Sequence, residues 1–215
     1  MARPREFDEA TVVRAAMQVF WKQGYRATSI EDLVEATGLQ RGSLYGAFGD
    51  KHGLLNEALD AYGHQMVERL DGLLAEFSDP VDGLRQFIRA AGLDCHNDET
   101  SGRGCLIGNT CTELAAHDDV ARAQVERFLA KFRLTMANSL RRGQAMGTFP
   151  SNRDADAVAM FIQCSLQGLA TLARTRPDPK MVDGVIHELI HILDQQPSDT
   201  APTQSEPRTH HNQQE

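Results

Sequence analysis

The stretch ATSIEDLVEATGLQRGSLYGAFGDK, residues 27–51, decides the fold. Its beginning is typical of a helix N-terminus, because Thr28 or Ser29 can cap a short helix whose first turn is acidic. Gly38 then marks a tight break, and a further short helix is predicted over about 40–48. Two short helices joined by a glycine-containing turn are the layout of a helix-turn-helix.

The side chains of this stretch divide into a core and an outer surface. The apolar ones predict a small core that holds the two helices crossed: Ile30, Leu33, Val34, Leu39, Leu44 and Phe48. The polar ones on the second helix would face the major groove of DNA and its flanking phosphates: Gln40, Arg41, Ser43 and Tyr45. Gly42 has no side chain, which lets the backbone come close to such a partner.

Helical periodicity continues on both sides of this stretch. Upstream, Val12, Ala16 and Phe20 share one face of a helix that ends at Gly24. Downstream, six longer segments have helical spacing; they begin near Asp50, Asp79, Cys105, Asp118, Asp154 and Pro179. The composition agrees, because aromatic residues make up only 6% and the apolar residues are mostly helix formers.

These patterns predict an all-α protein in three parts. Residues 1–52 form an N-terminal three-helix helix-turn-helix domain that binds DNA. Residues 53–195 form a C-terminal helical domain. Residues 196–215 are polar, contain proline and are predicted to be a disordered tail.

Composition and charge place the chain among cytoplasmic proteins. No apolar run approaches the roughly 18–20 residues that cross a membrane, and the N-terminus lacks the apolar core of a secretory signal. The four cysteines show no CxxC pair and are read as free thiols. The net charge is −8, but residues 1–49 carry six basic and six acidic side chains. Any contact with DNA must therefore rely on locally placed cations.

At residues 8–60 the sequence resembles the TetR family of bacterial repressors. The resemblance rests on a Thr that opens the second helix, a Gly in the turn, and a recognition helix in which Leu44-Tyr45 is followed by Phe48. Lys51 then follows shortly, and upstream Gly24-Tyr25 matches the end of the family's first helix. The resemblance implies a homodimer that binds a palindromic operator and is released by a small-molecule or thiol-reactive effector. It also implies that the C-terminal helical domain serves ligand binding and dimerisation.

Carried over by residue, the resemblance implies two kinds of DNA contact. Phosphates would be bound by Thr28, Tyr45 and Lys51. Groove and base contacts would come from Gln40, Arg41 and Ser43, with Gly42 allowing close approach. Arg41 suits guanine, because a guanidinium can donate two hydrogen bonds to one base edge. Arg3 and Arg5 could add contacts from a flexible arm.

The last two helices are predicted to form the dimer interface. In the family, such helices pair with their copies in a four-helix arrangement that sets the spacing of the two DNA-binding heads. Residues 154–194 carry a broad apolar face that fits this role, although an intramolecular core would explain it too.

The sensor is predicted around Cys105, which opens a helix after a glycine loop. A helix N-terminus and the neighbouring Arg103 would both favour the reactive thiolate. A Gly-Cys here resembles a subgroup that includes the repressor of N-ethylmaleimide reductase, in which a cysteine answers electrophiles or oxidants. A buried small apolar residue explains Cys105 equally well. A ligand cavity could add Asn109, Phe128, Phe132 and Phe161, with Phe87, Met136 and Gln167 as further candidates, or all of these could be ordinary core.

Two alternatives stay open beside a ligand-responsive repressor. One is a redox-only regulator in which the chemistry of Cys105 is the sole signal. The other is a small zinc-dependent helical enzyme, because residues 187–191 read His-Glu-Leu-Ile-His, the spacing of a zinc-protease helix. We interpret this motif as a coincidence, since no third ligand follows it. We therefore predict no enzymatic activity, no cofactor and no metal site.

Overall fold

The chain folds into helices throughout the part that the structure describes. A computed structural model describes residues 7–97 and 102–194, and within these ranges it contains nine helices and no strand, which confirms the all-α prediction. The helices are α1 Glu9–Gln23, α2 Ile30–Thr37, α3 Arg41–Phe48, α4 Lys51–Ala75, α5 Pro80–His96, α6 Leu106–Glu113, α7 Asp119–Met146, α8 Ala155–Ala173 and α9 Pro179–Asp194. The proposed arm with Arg3 and Arg5 and the predicted tail lie outside the described residues.

Short polar side chains begin most of these helices, as the sequence predicts. Ser29 caps α2 in a capping box, in which its side chain accepts from the backbone of Asp32 and the Asp32 side chain accepts in return. Aspartates cap α1, α4, α5, α7 and α8: Asp8, Asp50, Asp79, Asp118 and Asp154. Helix α6 is shorter than expected, because it ends at Glu113 rather than near residue 116.

The first of two buried clusters joins the helix-turn-helix to the helices behind it. This N-terminal cluster combines buried side chains of α1–α3 and the first half of α4 with others from α6 and the start of α7, among them Phe20, Leu33, Leu44, Leu55, Ile107 and Val125. Helix α4 also runs without a break across residues 52–53, where we expected a domain boundary. Helices α1–α3, which form the N-terminal half together with the start of α4, therefore share their core with α6.

The second cluster fills the C-terminal half. It is built from the second half of α4 together with α5, α7, α8 and α9, and Leu70, Ile88, Met136, Leu140, Ile162 and Leu189 are among its buried members. Phe128 packs against both clusters. A cavity opens where the two clusters meet, next to the N-terminus of α6.

Helix α8 is more apolar than we expected from the sequence. Its 19 residues have a mean hydropathy of 1.2, so by length and composition it could cross a membrane, against our expectation that no segment approached this limit. Part of that apolar surface lies in the C-terminal cluster, through Val158, Ala159 and Ile162 on one face. Other apolar side chains of α8 are exposed, including Phe161 and Leu172.

Candidate functional site

The outer face of α3 is open and polar. Leu44 is buried and anchors the helix, whereas the side chains that we expected to contact DNA are exposed: Gln40, Arg41, Ser43 and Tyr45. A Cβ built at Gly42 or Gly46 would meet nothing within 4 Å. These two glycines lie one turn apart, so the backbone of α3 is accessible along this face.

Arg41 is held by an acidic neighbour across the helix-turn-helix. Its guanidinium forms an ion pair with Glu31 of α2, and both side chains are more than half exposed. An exposed pair of this kind stabilises a fold by roughly 0–1 kcal/mol, because water competes for both charges. Arg41 can therefore exchange Glu31 for another acceptor at little cost.

Thr28 lies in a different place from the one that the resemblance implied. Its side chain is only 1% exposed, and its hydroxyl donates to the Gly24 carbonyl oxygen at 2.6 Å. In this conformation the hydroxyl closes the turn between α1 and α2. Ser29, which the sequence reading considered only as a cap, is the exposed hydroxyl at the N-terminus of α2.

Lys51 also holds this turn. Its ammonium donates to the carbonyl oxygens of Tyr25 at 2.9 Å and Thr28 at 2.7 Å, and it lies 4.2 Å from the centre of the Tyr25 ring. The side chain is half-buried at the start of α4. A phosphate contact, as the resemblance implies, would therefore add to a structural role that sequence reasoning missed.

Helix α6 connects the turn between α1 and α2 to the cavity. At its C-terminal end, the Glu113 carboxylate accepts from the backbone nitrogens of Tyr25 at 3.0 Å and Arg26 at 2.7 Å. At its other end, Trp21 of α1 donates through Nε1 to the Gly104 carbonyl oxygen at 2.9 Å. The sequence contained no signal for either contact, because each joins residues more than 80 positions apart.

The cavity has a volume of about 220 Å³ and a mainly apolar wall. Its lining comes from α1, α4, α5, α7 and α8 and from the loop before α6, which contributes Gly104 and Cys105. Phe128 and Phe132 line it as expected, stacked with ring centres 5.5 Å apart. Phe87 and Gln167, which were named as further candidates, line it as well.

Three other candidates lie outside the cavity. Asn109 donates through Nδ2 to the Arg103 carbonyl oxygen at 2.8 Å and so fixes the loop before α6. Phe161 is 51% exposed on the outer side of α8, because the helix turns its neighbour Ile162 into the core instead. Met136 is fully buried in the C-terminal cluster and does not reach the cavity wall.

Cys105 is half-buried at the N-cap of α6 and lies beside Tyr62 in the cavity wall. Burial, followed by the effect of the adjacent Cys105, raises the pKa of Tyr62 well above its ordinary value, so its hydroxyl stays protonated. Arg103 does not complete the expected basic environment, because its guanidinium donates to Gln18 at 2.8 Å and stacks over Trp21.

A second thiol, that of Cys95, also lines the cavity. Its Sγ donates to the Ala91 carbonyl oxygen at 3.3 Å. Burial, and secondly the neighbouring Asp94, raise the pKa of Cys95, which disfavours its thiolate. The cavity thus contains two thiols in different surroundings.

The zinc-protease spacing on α9 does not assemble a metal site among the residues that the structure describes. His187 and His191 stack with ring centres 6.5 Å apart and are both exposed. Within 7–97 and 102–194, no group of three or more His, Cys, Asp or Glu side chains could hold a metal ion.

Comparison with known proteins agrees with this architecture. A family model described as "Bacterial regulatory proteins, tetR family" matches residues 12–58, and one described as "Tetracyclin repressor-like, C-terminal domain" matches residues 80–189. The chain is 34% identical over 173 residues to the HTH-type transcriptional repressor ComR of Escherichia coli K12, covering 80% of this chain and 82% of ComR. It is 32% identical to the transcriptional regulator AcuR of Cereibacter sphaeroides, covering 82% and 84%.

Solved structures give the same result. A double cysteine mutant of the TetR family regulator CifR, complexed with 26-base-pair operator DNA, is 30% identical with a TM-score of 0.75, covering 88% of this chain and 98% of that chain. A regulatory protein TetR from Rhodobacter sphaeroides shares the fold with a TM-score of 0.77 at 24% identity, covering 86% and 97%. The chain therefore belongs to the TetR family of bacterial transcriptional regulators.

Proposed function

We propose that this protein is a dimeric, cytoplasmic repressor that binds a palindromic operator through α3 and releases it when an effector occupies or modifies the cavity. The observation that carries the proposal is the outer face of α3, where exposed polar side chains surround two glycines with open space above them. A recognition helix needs such a face, because base edges lie deep in the major groove.

On this surface, Arg41 reads a base and its neighbours orient α3 in the groove. Arg41 exchanges Glu31 for a guanine edge, to which it can donate two hydrogen bonds. Gln40 and Ser43 flank it, while Tyr45 and Lys51 contact phosphates and fix the register of the helix. A relative supports DNA binding in general, since CifR was solved on its operator DNA.

Dimerisation is assigned to the exposed apolar surface of α8 together with α9. Met160, Phe161 and Leu172 are about half exposed there, and a Cβ at Gly168 would meet nothing within 4 Å. An exposed apolar patch with a glycine that permits close helix approach fits a helix–helix interface between two copies. Sedimentation equilibrium of the wild-type protein and of Phe161→Asp tests this, since a charge on the patch should shift the dimer toward monomer.

Release of DNA is assigned to the cavity, with α6 as the connection. A molecule that displaces the loop around Gly104 and Cys105 would strain the Trp21 contact and the far end of α6, where Glu113 holds the turn before α2. For release, the effector must bind the DNA-free conformation more tightly than the DNA-bound one. The same geometry serves a cavity ligand or a covalent adduct on Cys105.

Fluorescence anisotropy with DNA from upstream of the protein's own gene tests the DNA-binding surface. Arg41→Ala should weaken specific binding by about 1–3 kcal/mol and relax the preference at one base pair. Lys51→Ala should weaken binding to all sequences and reduce the salt slope by about 1. Lys131→Ala, which removes an exposed lysine on α7, is the matched control. If Arg41→Ala and Lys51→Ala both bind like the wild type, as the control should, the DNA-binding surface is misassigned.

The salt slope separates the two roles of Lys51. Loss of affinity with an unchanged slope would mean that Lys51 acts only by holding the carbonyls of Tyr25 and Thr28. Loss of affinity with a reduced slope would mean that it also neutralises a phosphate, because each phosphate contact releases counterions.

The same binding assay, repeated after treatment with N-ethylmaleimide, tests the thiol response. We expect treatment to release the operator from the wild type and from Cys95→Ser, but not from Cys105→Ser. If the reagent does not change operator binding in any of the three proteins, the protein would still be a repressor. Its effector would then be a ligand that binds the cavity reversibly. If Cys105→Ser abolishes every response to candidate inducers, the redox-only alternative takes its place.

A further inference from the structure

Gln167 of α8 has an unsatisfied hydrogen-bond donor in the cavity wall. Its Nε2 is buried and has no hydrogen-bond partner. The amide rests on Gly108 of α6, where an added Cβ would lie only 1.8 Å from Nε2. A buried donor without an acceptor costs roughly 1–3 kcal/mol, so a molecule that supplies an acceptor recovers this free energy.

Among the described residues of the cavity wall, no other buried side-chain nitrogen or oxygen lacks a hydrogen-bond partner. Gln163 donates to the Leu129 carbonyl oxygen at 2.8 Å, and Trp21 donates to the Gly104 carbonyl oxygen. The two charged residues in the wall, Arg69 and Asp94, form an ion pair with each other. The wall is thus apolar and neutral in charge.

From this arrangement we infer that the cavity binds a compact, uncharged and mainly apolar molecule with one acceptor oxygen, to which Gln167 Nε2 donates. Ketones, esters and similar carbonyl compounds belong to this class. Rotation about the last torsion of the glutamine, which has only a broad preference, turns Nε2 from Gly108 toward the ligand. The inference rests on the proposed function and specifies the reversible effector of that cavity.

Charged molecules fit this cavity poorly. A carboxylate or ammonium group loses its hydration on entry, and the charged wall residues that the structure describes, Arg69 and Asp94, are paired with each other. Hydrocarbons fit the apolar wall but leave Nε2 unsatisfied. The volume of about 220 Å³ suits a single aromatic ring or a short chain and excludes large multi-ring molecules.

The position of Gln167 also connects ligand binding to α6. The amide lies against Gly108, in the first turn of α6, and Gly104 packs just before that turn with its Cβ position 2.9 Å from the Ala170 carbonyl oxygen. A ligand that captures the amide removes one contact between α8 and α6. Helix α6 carries Glu113 at its other end, so this contact lies on the route to the DNA-binding half.

Fluorescence titration of the full-length dimer tests the inference. Trp21 lines the cavity and is the only tryptophan in the chain, so its emission reports occupancy directly. The probes share one ring: acetophenone has an acceptor, ethylbenzene has none, and 1-phenylethylamine is cationic at neutral pH. We expect saturable binding in which acetophenone is favoured over ethylbenzene by roughly tenfold, the effect of about one hydrogen bond. The cation should bind weakest.

Variants of the wall make the assignment specific. Gln167→Leu keeps the approximate shape but removes the donor, so acetophenone and ethylbenzene should bind it equally. Gln167→Glu should turn the preference toward 1-phenylethylamine, because a carboxylate attracts the ammonium. Gln65→Leu, the same change at an exposed glutamine of α4 outside the cavity wall, is the control and should keep the preference for the ketone.

Three results would overturn the inference: equal binding of ketone and hydrocarbon by the wild type, a ketone preference that survives in Gln167→Leu, or no saturable binding of any probe. The proposed function fails separately, if the ligand-free wild type does not select an operator. If a ketone binds through Gln167 but does not weaken operator binding, the ligand site is confirmed and its regulatory role is not.

Discussion

The outer face of α3 and the interior of the C-terminal half use glycine in opposite ways. A Cβ at Gly42 or Gly46 would meet nothing within 4 Å. At Gly108 it would meet Gln167, and at Gly143 it would lie 2.4 Å from Val81 Cγ2. Glycines of the interior are surrounded by this chain's own side chains, whereas those of α3 leave space that the chain does not fill.

This difference separates a surface made for a partner from a core made for packing. Glycine weakens a helix by about 1 kcal/mol relative to alanine, so two exposed glycines in the eight residues of α3 reduce its stability without any gain inside the protein. The interior glycines reduce helix propensity too, but they let helices approach each other. Only the first kind requires something outside the chain to explain it.

The largest expected effect concerns the anchor of α3. Leu44→Ala removes a side chain that is 3% exposed in the N-terminal cluster and should lower the free energy of unfolding by about 2–5 kcal/mol. Because that cluster includes Leu106 and Ile107 of α6, we expect both halves to unfold in one transition. Urea unfolding followed by Trp21 fluorescence and by far-UV circular dichroism checks this. Two separated transitions would show that α3 belongs to an independent domain.

A matched pair of glycine substitutions tests the comparison directly. Gly143→Ala should destabilise the fold by about 1–3 kcal/mol, because the added methyl group overlaps Val81 and approaches Phe149. Gly46→Ala should stabilise it by up to about 1 kcal/mol, because the methyl group meets nothing and alanine favours the helix. Thermal unfolding measures both changes.

Operator affinity gives the second half of this test. Gly46→Ala should weaken DNA binding while it stabilises the protein, whereas Gly143→Ala should leave the affinity of the folded protein near that of the wild type. If Gly46→Ala binds DNA normally, the open space above α3 is not where DNA approaches.

The sequence predicted the helix-turn-helix well because its determinants are local. Capping residues, glycine stops and apolar spacing within residues 27–51 set α2 and α3, and the same residues carry the family signature. Besides the structural role of Lys51, one difference within this stretch concerned Thr28 and Ser29. Adjacent hydroxyl residues can each cap a helix, and which one does so depends on the turn that precedes it.

The cavity was harder to predict because its wall comes from distant parts of the chain. The sequence placed Phe128 and Phe132 correctly in the cavity wall, but it placed Phe161 there too. Apolar spacing on α8 is the same for a cavity, a core and an exposed patch, so it could not exclude Phe161. No local sequence pattern marked Glu113, because its carboxylate accepts hydrogen bonds from backbone nitrogens, those of Tyr25 and Arg26. Backbone partners have no sequence signature.

The smallest expected effect concerns the connection between the two regions. Asp118 caps α7 and lies 2.7 Å from His52 Nε2, near the start of α4. The backbone N–H of Ala121, and secondly His52, hold the pKa of Asp118 below its ordinary value. A carboxylate of this kind stabilises the fold above its unfolded-state pKa, and that contribution is lost as the pH falls through the lowered folded-state pKa.

Asp118→Asn should therefore flatten the acid limb of the stability curve. Asparagine can still cap α7 but carries no charge, so the difference between wild type and variant should be present at neutral pH and shrink at acid pH. Urea midpoints between about pH 7 and about pH 3 measure it, with Asp71→Asn, an exposed carboxylate on α4, as control. A difference that stays constant across this range would assign Asp118 to capping alone. A difference that shrinks only in Asp118→Asn would show that the charge of Asp118 stabilises the fold beyond the cap that asparagine can also form.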